Sequence, residues 1–186
     1  SLMGKRRAKL LLHGDLEDPD RTGLFTTGIL SLTDPGPIAL FRTGRKYAGE
    51  NLADLLKERE ADRVIPIVMS DGLDSRNVPR DRQVDPANCA AHARRGFVDQ
   101  ALNFPNECTF VLETLRKVYH TDAQGKKEEL SAQERLLRHQ RDSLPVMEEL
   151  HRFLSEQFTD KRVEPNSGLG KAYWYMLKRW HKLTLF

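Results

Sequence analysis

Residues Arg63–Asp74 read RVIPIVMSDGLD, and the reading of this stretch decides how the rest of the chain is organised. Val64, Ile65, Ile67, Val68 and Met69 form an apolar, largely β-branched run, which predicts a buried strand covered on both faces. Asp71 follows at its carboxyl end. In open sheets whose parallel strands are joined by crossover helices, ligands and catalytic groups gather beyond the carboxyl ends of the strands, so an acid here is placed for chemistry. Asp-Gly is also a common turn dipeptide, in which Asp71 would do no more than cap the reversal. The residues alone leave both readings open.

Upstream of that strand, Thr22–Leu32 is uncharged and rich in Thr, Phe, Ile and Leu, and Asp34-Pro35-Gly36 supplies a turn before Ile38–Phe41. This pattern predicts an antiparallel hairpin. Gly49–Arg59 places Leu52, Leu55 and Leu56 on one helical face, giving the order β-β-α-β through Asp71. Residues 1–20 open with Lys5, Arg6, Arg7 and Lys9, end acidic and keep no period, which suggests a connector.

Downstream, polar residues and prolines run from Asp74 to Pro86, with a short strand expected near Asn88–Ala91. From Glu107 to Tyr119 the residues Cys108, Val111, Leu112, Leu115, Val118 and Tyr119 keep a helical stripe, which assigns Cys108 to the core. Ser131-Ala-Gln-Glu134 is a capping box, and Pro145 is expected to kink or divide the helix it starts. Asn166-Ser167 begins a last helix with Leu169, Ala172, Tyr173, Met176, Leu177, Trp180 and Leu183 on one side. Lys171, Trp174, Tyr175, Lys178 and Lys182 line the other, a basic and aromatic face able to stack bases or hold phosphates, or simply to face solvent.

The bulk numbers exclude more than they identify. A chain of 186 residues with 39% hydrophobic and 31% charged residues can bury its own core. It has no apolar run of membrane-spanning length and no signal-peptide pattern, which predicts a cytoplasmic protein with no membrane partner. Two cysteines, Cys89 and Cys108, are too few for a disulfide scaffold and read as reduced, buried thiols. A net charge of +3 permits a polyanionic partner without requiring one.

Asn88–Val98, NCAAHARRGFV, gathers Cys89, His92, Arg94 and Arg95 in a few residues. A zinc site would need four ligands, and the chain offers no second paired spacing to join Cys89 and His92. The arginines could hold phosphate oxygens, or pair with Asp85, Asp99 or Glu107. Gly168-Leu-Gly170-Lys171 resembles a phosphate loop only superficially, since the motif needs a further glycine upstream and a Ser or Thr where Ala172 stands.

Together these pieces resemble the DDE transposases of the insertion-sequence-66 family. The matching residues are Arg21-Thr-Gly-Leu-Phe25, Ala48-Gly-Glu-Asn51, Ser70-Asp71-Gly72, Cys89-Ala-Ala-His-Ala-Arg-Arg95 with Phe97, and Pro165-Asn-Ser-Gly-Leu-Gly-Lys171 with Trp180 and Leu183-Thr184. The resemblance implies a ribonuclease-H-like fold in which three acids bind two divalent metals, Mg²⁺ or Mn²⁺, for DNA strand cleavage and transfer. Hard cations prefer carboxylate oxygens, and Asp71 matches the family's second acid, with Asp74 the neighbouring candidate. In the family the first acid lies on a strand before the point where this sequence opens, and the glutamate lies beyond its last residue.

The expectation is therefore an α/β chain holding a partial ribonuclease-H-like core over residues 21–104 and a helical insertion region over 105–186. It resembles an internal piece of a bacterial, nucleoid-associated transposase, with Asp71 as catalytic and metal-binding residue and no cleavage by the piece alone. His92, Arg94, Arg95, Lys171, Trp174, Lys178 and Lys182 are the candidate DNA contacts, and a homo-oligomer could fill the sheet. The rival reading is a non-catalytic helical DNA-binding or protein-assembly module.

Overall fold

The computed structural model describes residues 23–33, 36–60, 64–72, 78–79 and 84–186. The expected connector 1–20, Arg21-Thr22, the Asp34-Pro35 turn and Asp74 lie outside the described residues. Eleven elements are described: β1 (Phe25–Leu32), β2 (Pro37–Gly44), α1 (Ala48–Lys57), β3 (Ile67–Ser70), β4 (Asp85–Asn88), α2 (Ala90–Gln100), α3 (Pro105–Lys127), α4 (Ala132–Asp142), α5 (Leu144–Thr159), α6 (Gly168–Lys178) and α7 (Trp180–Leu183). The chain is α/β, and it divides into two compact units, residues 1–86 and 87–186.

In the first unit the expected β-β-α-β order is present. β1 and β2 pair antiparallel in an unbroken register from Phe25 opposite Gly44 to Leu32 opposite Pro37. Thr26 and Thr43 hydroxyls meet across the pair at 3.0 Å, a cross-strand contact of the kind that fixes register. α1 is tied to β1 by the buried Asn51, whose Nδ2 donates to Thr27 Oγ1 at 3.0 Å. Lys46 Nζ donates to Asp54 at 2.6 Å; these lysine contacts, with Lys57 a second donor, hold the Asp54 carboxyl below its ordinary range against the opposing effect of burial.

The Arg63–Asp74 stretch corrects one expectation. Its strand is only the four residues Ile67–Ser70, and the apolar run is not covered on both faces: Ile67 and Met69 are 65% and 69% exposed, while Val68 and Ser70 are half-buried. β3 pairs with β4 in a sheet of two strands separate from the hairpin, and Asp85 N donates to Pro66 O at 3.0 Å. A two-stranded ribbon has no second layer of its own to bury alternate residues, so the alternation of exposure follows directly from the pairing.

The second unit is helical, with a core of Phe97 from α2, Cys108, Val111 and Leu115 from α3, Met147, Leu150 and Leu154 from α5, and Leu169, Tyr173 and Met176 from α6. Cys108 is fully buried, as its place in the stripe requires, and burial pushes its thiol pKa up. Ser131 forms the expected capping box with Glu134. Pro145 does divide the helices: α4 ends at Asp142 and α5 starts at Leu144, with the proline in its first turn, where a missing N–H costs nothing.

Asp122 of α3 is a polar knot in this unit. Its carboxylate accepts from Lys126 on its own helix and from Arg135 on α4, each at 2.6 Å. Burial pushes the carboxyl up, but the two cations outweigh it and hold it at about 2.

Candidate nucleic-acid interface

The chain beyond Ala91 is expected to be helical only in general terms, without a stripe that marks this helix; α2 carries three of the candidate residues. Only Ala93 and Phe97 are buried along it, one turn apart, so the inward face is narrow and His92, Arg94 and Arg95 fall around its edges. Arg94 and Arg95 are exposed and His92 is half-buried. Neighbouring positions on a helix point about 100° apart, so the two arginines diverge rather than forming one fork. His92 and Arg95, three residues apart, share an edge.

α2 packs against α6. Phe97 and Tyr173 rings lie 5.8 Å apart in the core, and His92 and Tyr175 lie 6.5 Å apart nearer the surface. A methyl group on Gly96 would sit 3.3 Å from the Ala172 side chain, so the two backbones approach closely there. Arg95 precedes Gly96 and Lys171 precedes Ala172, and basic residues of both helices therefore flank one crossing. Two stretches lying more than seventy residues apart in the chain thus contribute to a single surface. Arg94 lies elsewhere, within electrostatic reach of Tyr119 on α3. The Tyr119 hydroxyl is pushed up first by burial and then by Cys89, with Arg94 acting in the opposite direction.

Along α6, Lys171, Trp174 and Lys178 form an exposed stripe. Trp174 is 52% exposed, meets the Phe158 ring nearly edge-on at 6.1 Å and 82°, and has Lys178 Nζ 5.2 Å from its centre. The opposite face is buried as expected, through Leu169, Ala172, Tyr173 and Met176, with Leu183 continuing it in α7. The helix does not run on unbroken: α6 ends at Lys178, Arg179 lies over the Tyr175 ring at 4.1 Å, and Lys182 sits half-buried on α7 beyond the break. Lys182 is therefore not a continuation of the exposed stripe.

The start of α6 is built by the Asn166–Lys171 motif itself. Ser167 Oγ accepts from Gly170 N at 2.9 Å and donates to Glu164 O at 2.6 Å, and a side chain at Gly170 would collide with the Glu164 carbonyl. The motif is thus a tight helix start, with no phosphate loop needed to explain its glycines.

Asp71 is half-buried and directly follows β3, with Gly72 behind it at φ 97°, a backbone conformation suited to glycine. Among the described residues no group of three or more His, Cys, Asp and Glu is disposed to hold a metal ion. The described residues thus do not by themselves fit a two-metal centre, and no chemical step is drawn through one. Cys89, expected to be buried, is only half-buried just ahead of α2, and Cys89 and His92 have no third ligand among the described residues either.

Residues 30–186 match the transposase family described as Transposase IS66 family. The chain belongs to that family, whose members are transposases and act on DNA. No curated protein and no solved structure matches the chain. No described helix is long and apolar enough to cross a membrane.

Proposed function

We propose that this chain is a DNA-handling part of an IS66-family transposase and that the α2–α6 face is where it grips the DNA backbone. The observation that carries the reading is the crossing at Gly96 and Ala172, where Arg95 and Lys171 flank one contact and Lys178 continues the exposed stripe. Among the described residues Arg95, Lys171 and Lys178 enter no ion pair, so their charges are available to phosphates without first breaking a bond to a carboxylate. Arg94 belongs to the edge near Tyr119 and has a lesser part.

The order β1-β2-α1-β3 with an acid at the exit of β3 is what a ribonuclease-H-like core in the same reading draws on, while the described strands pair as two separate two-stranded sheets and not as one. Asp71 is the candidate carboxylate for divalent-metal binding, since Mg²⁺ and Mn²⁺ take oxygen ligands at strand ends of this kind. A single carboxylate does not hold two ions about 4 Å apart, and this chain alone is expected not to cleave DNA. In a protein that includes the further acids, Asp71→Asn should abolish Mn²⁺-dependent nicking of supercoiled DNA with folding intact; persistent nicking would remove Asp71 from the site.

The binding reading is tested by the salt dependence of duplex affinity. Removing a single phosphate-binding charge should flatten the plot of log affinity against log salt by about 0.9. Arg95→Ala and Lys171→Ala are expected to do so and Arg94→Ala to do so less. A second reading rests on the hairpin, where Leu30, Leu32, Ile38 and Phe41 are 62–81% exposed. A non-catalytic assembly module would self-associate through such a surface, tightly and without sensitivity to salt. Equal duplex affinity in all three variants, together with salt-insensitive oligomers, would favour that second reading.

A further inference from the structure

Trp174 is an uncommon side chain to leave half in water, and its surroundings hold it there in a defined pose. The nearly perpendicular contact with Phe158 at 6.1 Å restrains the indole, and the burial of Tyr173 and Met176 on either side of it in the helix fixes the turn that carries it. Lys171 and Lys178 stand about one turn before and one turn after it on the same exposed stripe. Among the described residues neither lysine has a carboxylate partner, and Lys178 instead rests its ammonium 5.2 Å from the indole centre.

A half-exposed aromatic ring packed edge-on against Phe158, between two lysines with no carboxylate partner among the described residues, matches the chemistry of a planar base flanked by phosphates. An interior base pair of an undistorted duplex has both flat surfaces covered by its neighbours, and opening a step to a side chain costs a few kcal/mol of unstacking that an unpaired base does not require. We propose that Trp174 is a stacking platform for an unpaired nucleobase, with Lys171 and Lys178 taking the phosphates on either side of that nucleotide. The occupant is single-stranded DNA. This rests on the reading of the α2–α6 face as the DNA-binding surface and adds to it a preference that phosphate contacts alone would not produce. Lys178 would leave the indole face as the base arrives, exchanging one cation–π contact for a phosphate contact.

The test compares the full 186-residue chain with Trp174→Ala, Trp174→Phe and Lys178→Ala. The probes are fluorescein-labelled oligothymidine about twenty nucleotides long and a blunt duplex of the same length. Circular dichroism checks that each variant keeps its helix content, and the exposure of Trp174 makes that outcome the expected one. Trp174→Ala should weaken oligothymidine binding about tenfold or more, with duplex affinity within about twofold of wild type, and Trp174→Phe should restore most of the affinity. Lys178→Ala should lower the salt slope on both probes. Undiminished oligothymidine binding by Trp174→Ala, with salt-dependent duplex binding intact, overturns the platform and leaves the binding surface standing. If wild type binds neither probe, the surface and the platform fall together.

Discussion

Gly170→Ala is the substitution whose outcome the local geometry fixes most firmly. A Cβ at this position would strike the Glu164 carbonyl oxygen and lie 2.9 Å from the Pro165 backbone. Those atoms belong to the chain that leads into the helix, so relief requires moving backbone rather than swinging a side chain. Inserting a methyl group against such a wall costs about 1–3 kcal/mol or more. Displacing the turn would also stretch the bond from Gly170 N to Ser167 Oγ, at 2.9 Å, a cap worth about 1 kcal/mol. Against this stands about 1 kcal/mol of helix propensity that alanine gains over glycine. The net expectation is a loss of about 2 kcal/mol. Urea unfolding followed by far-ultraviolet circular dichroism should show the midpoint falling by about 1 M. Gly168→Ala is the control, because the atoms nearest the added methyl are the amide end of the Gln100 side chain, which can rotate away. It should stay within about 1 kcal/mol of wild type. A Gly170→Ala protein as stable as wild type, or more so, would refute the claim that this motif exists to close a tight helix start.

Other substitutions probe the packing and the charges. Tyr173 is fully buried, and its hydroxyl finds no hydrogen-bond partner among the described residues, so Tyr173→Phe should be neutral or stabilising by up to about 1 kcal/mol in the same unfolding assay. Leu154→Ala, in the centre of the helical core, should cost about 2–5 kcal/mol. The Asp122 carboxyl sits at about 2 in the folded chain, below its ordinary 3.8, so its stabilising contribution is complete above the higher value and is lost as pH falls through the lower. Asp122→Asn should cost about 1–2 kcal/mol at neutral pH, with the partial exposure of the carboxylate trimming the larger figure, and should flatten the acid limb between about pH 4 and 2 in urea titrations at stepped pH.

The elements legible in the sequence are those whose signals are local. The hairpin was announced by its β-rich segments around Asp-Pro-Gly, α1 by Leu52, Leu55 and Leu56, α4 by the Ser131–Glu134 box, the break before α5 by Pro145, and α6 by its apolar stripe after Ser167. The bounds and inward face of α2 were not legible beyond a general expectation of helix, because its buried face consists of one small and one large residue, Ala93 and Phe97, among charged neighbours. The short strand expected at Asn88–Ala91 is β4, Asp85–Asn88, and the helix begins where the strand was expected to continue. The exposure of Ile67 and Met69 was not legible either, since a run of apolar residues does not record how many layers cover it.

The candidate site was legible as residue types and not as an arrangement. Lys171, Trp174 and Lys178 share a face because helical spacing puts them there, which the sequence contains. That Arg95 flanks Lys171 depends on Gly96 meeting Ala172, a tertiary contact with no sequence-local signal. The divergence of Arg94 from Arg95 follows from helical spacing once α2 is known to be a helix, whereas the break at Arg179 that removes Lys182 from the stripe required the folded chain.

The most direct measurement of DNA binding at the α2–α6 face is amide hydrogen exchange of the full chain, with and without a blunt duplex of about twenty base pairs, at low salt where phosphate contacts are strong. Added protection should concentrate in residues 90–100 and 168–178, the two helices that cross at Gly96 and Ala172, with little change across the hairpin strands 25–32 and 37–44. Protection confined to the hairpin, or none in either helix under conditions where the duplex is bound, would contradict binding at that face.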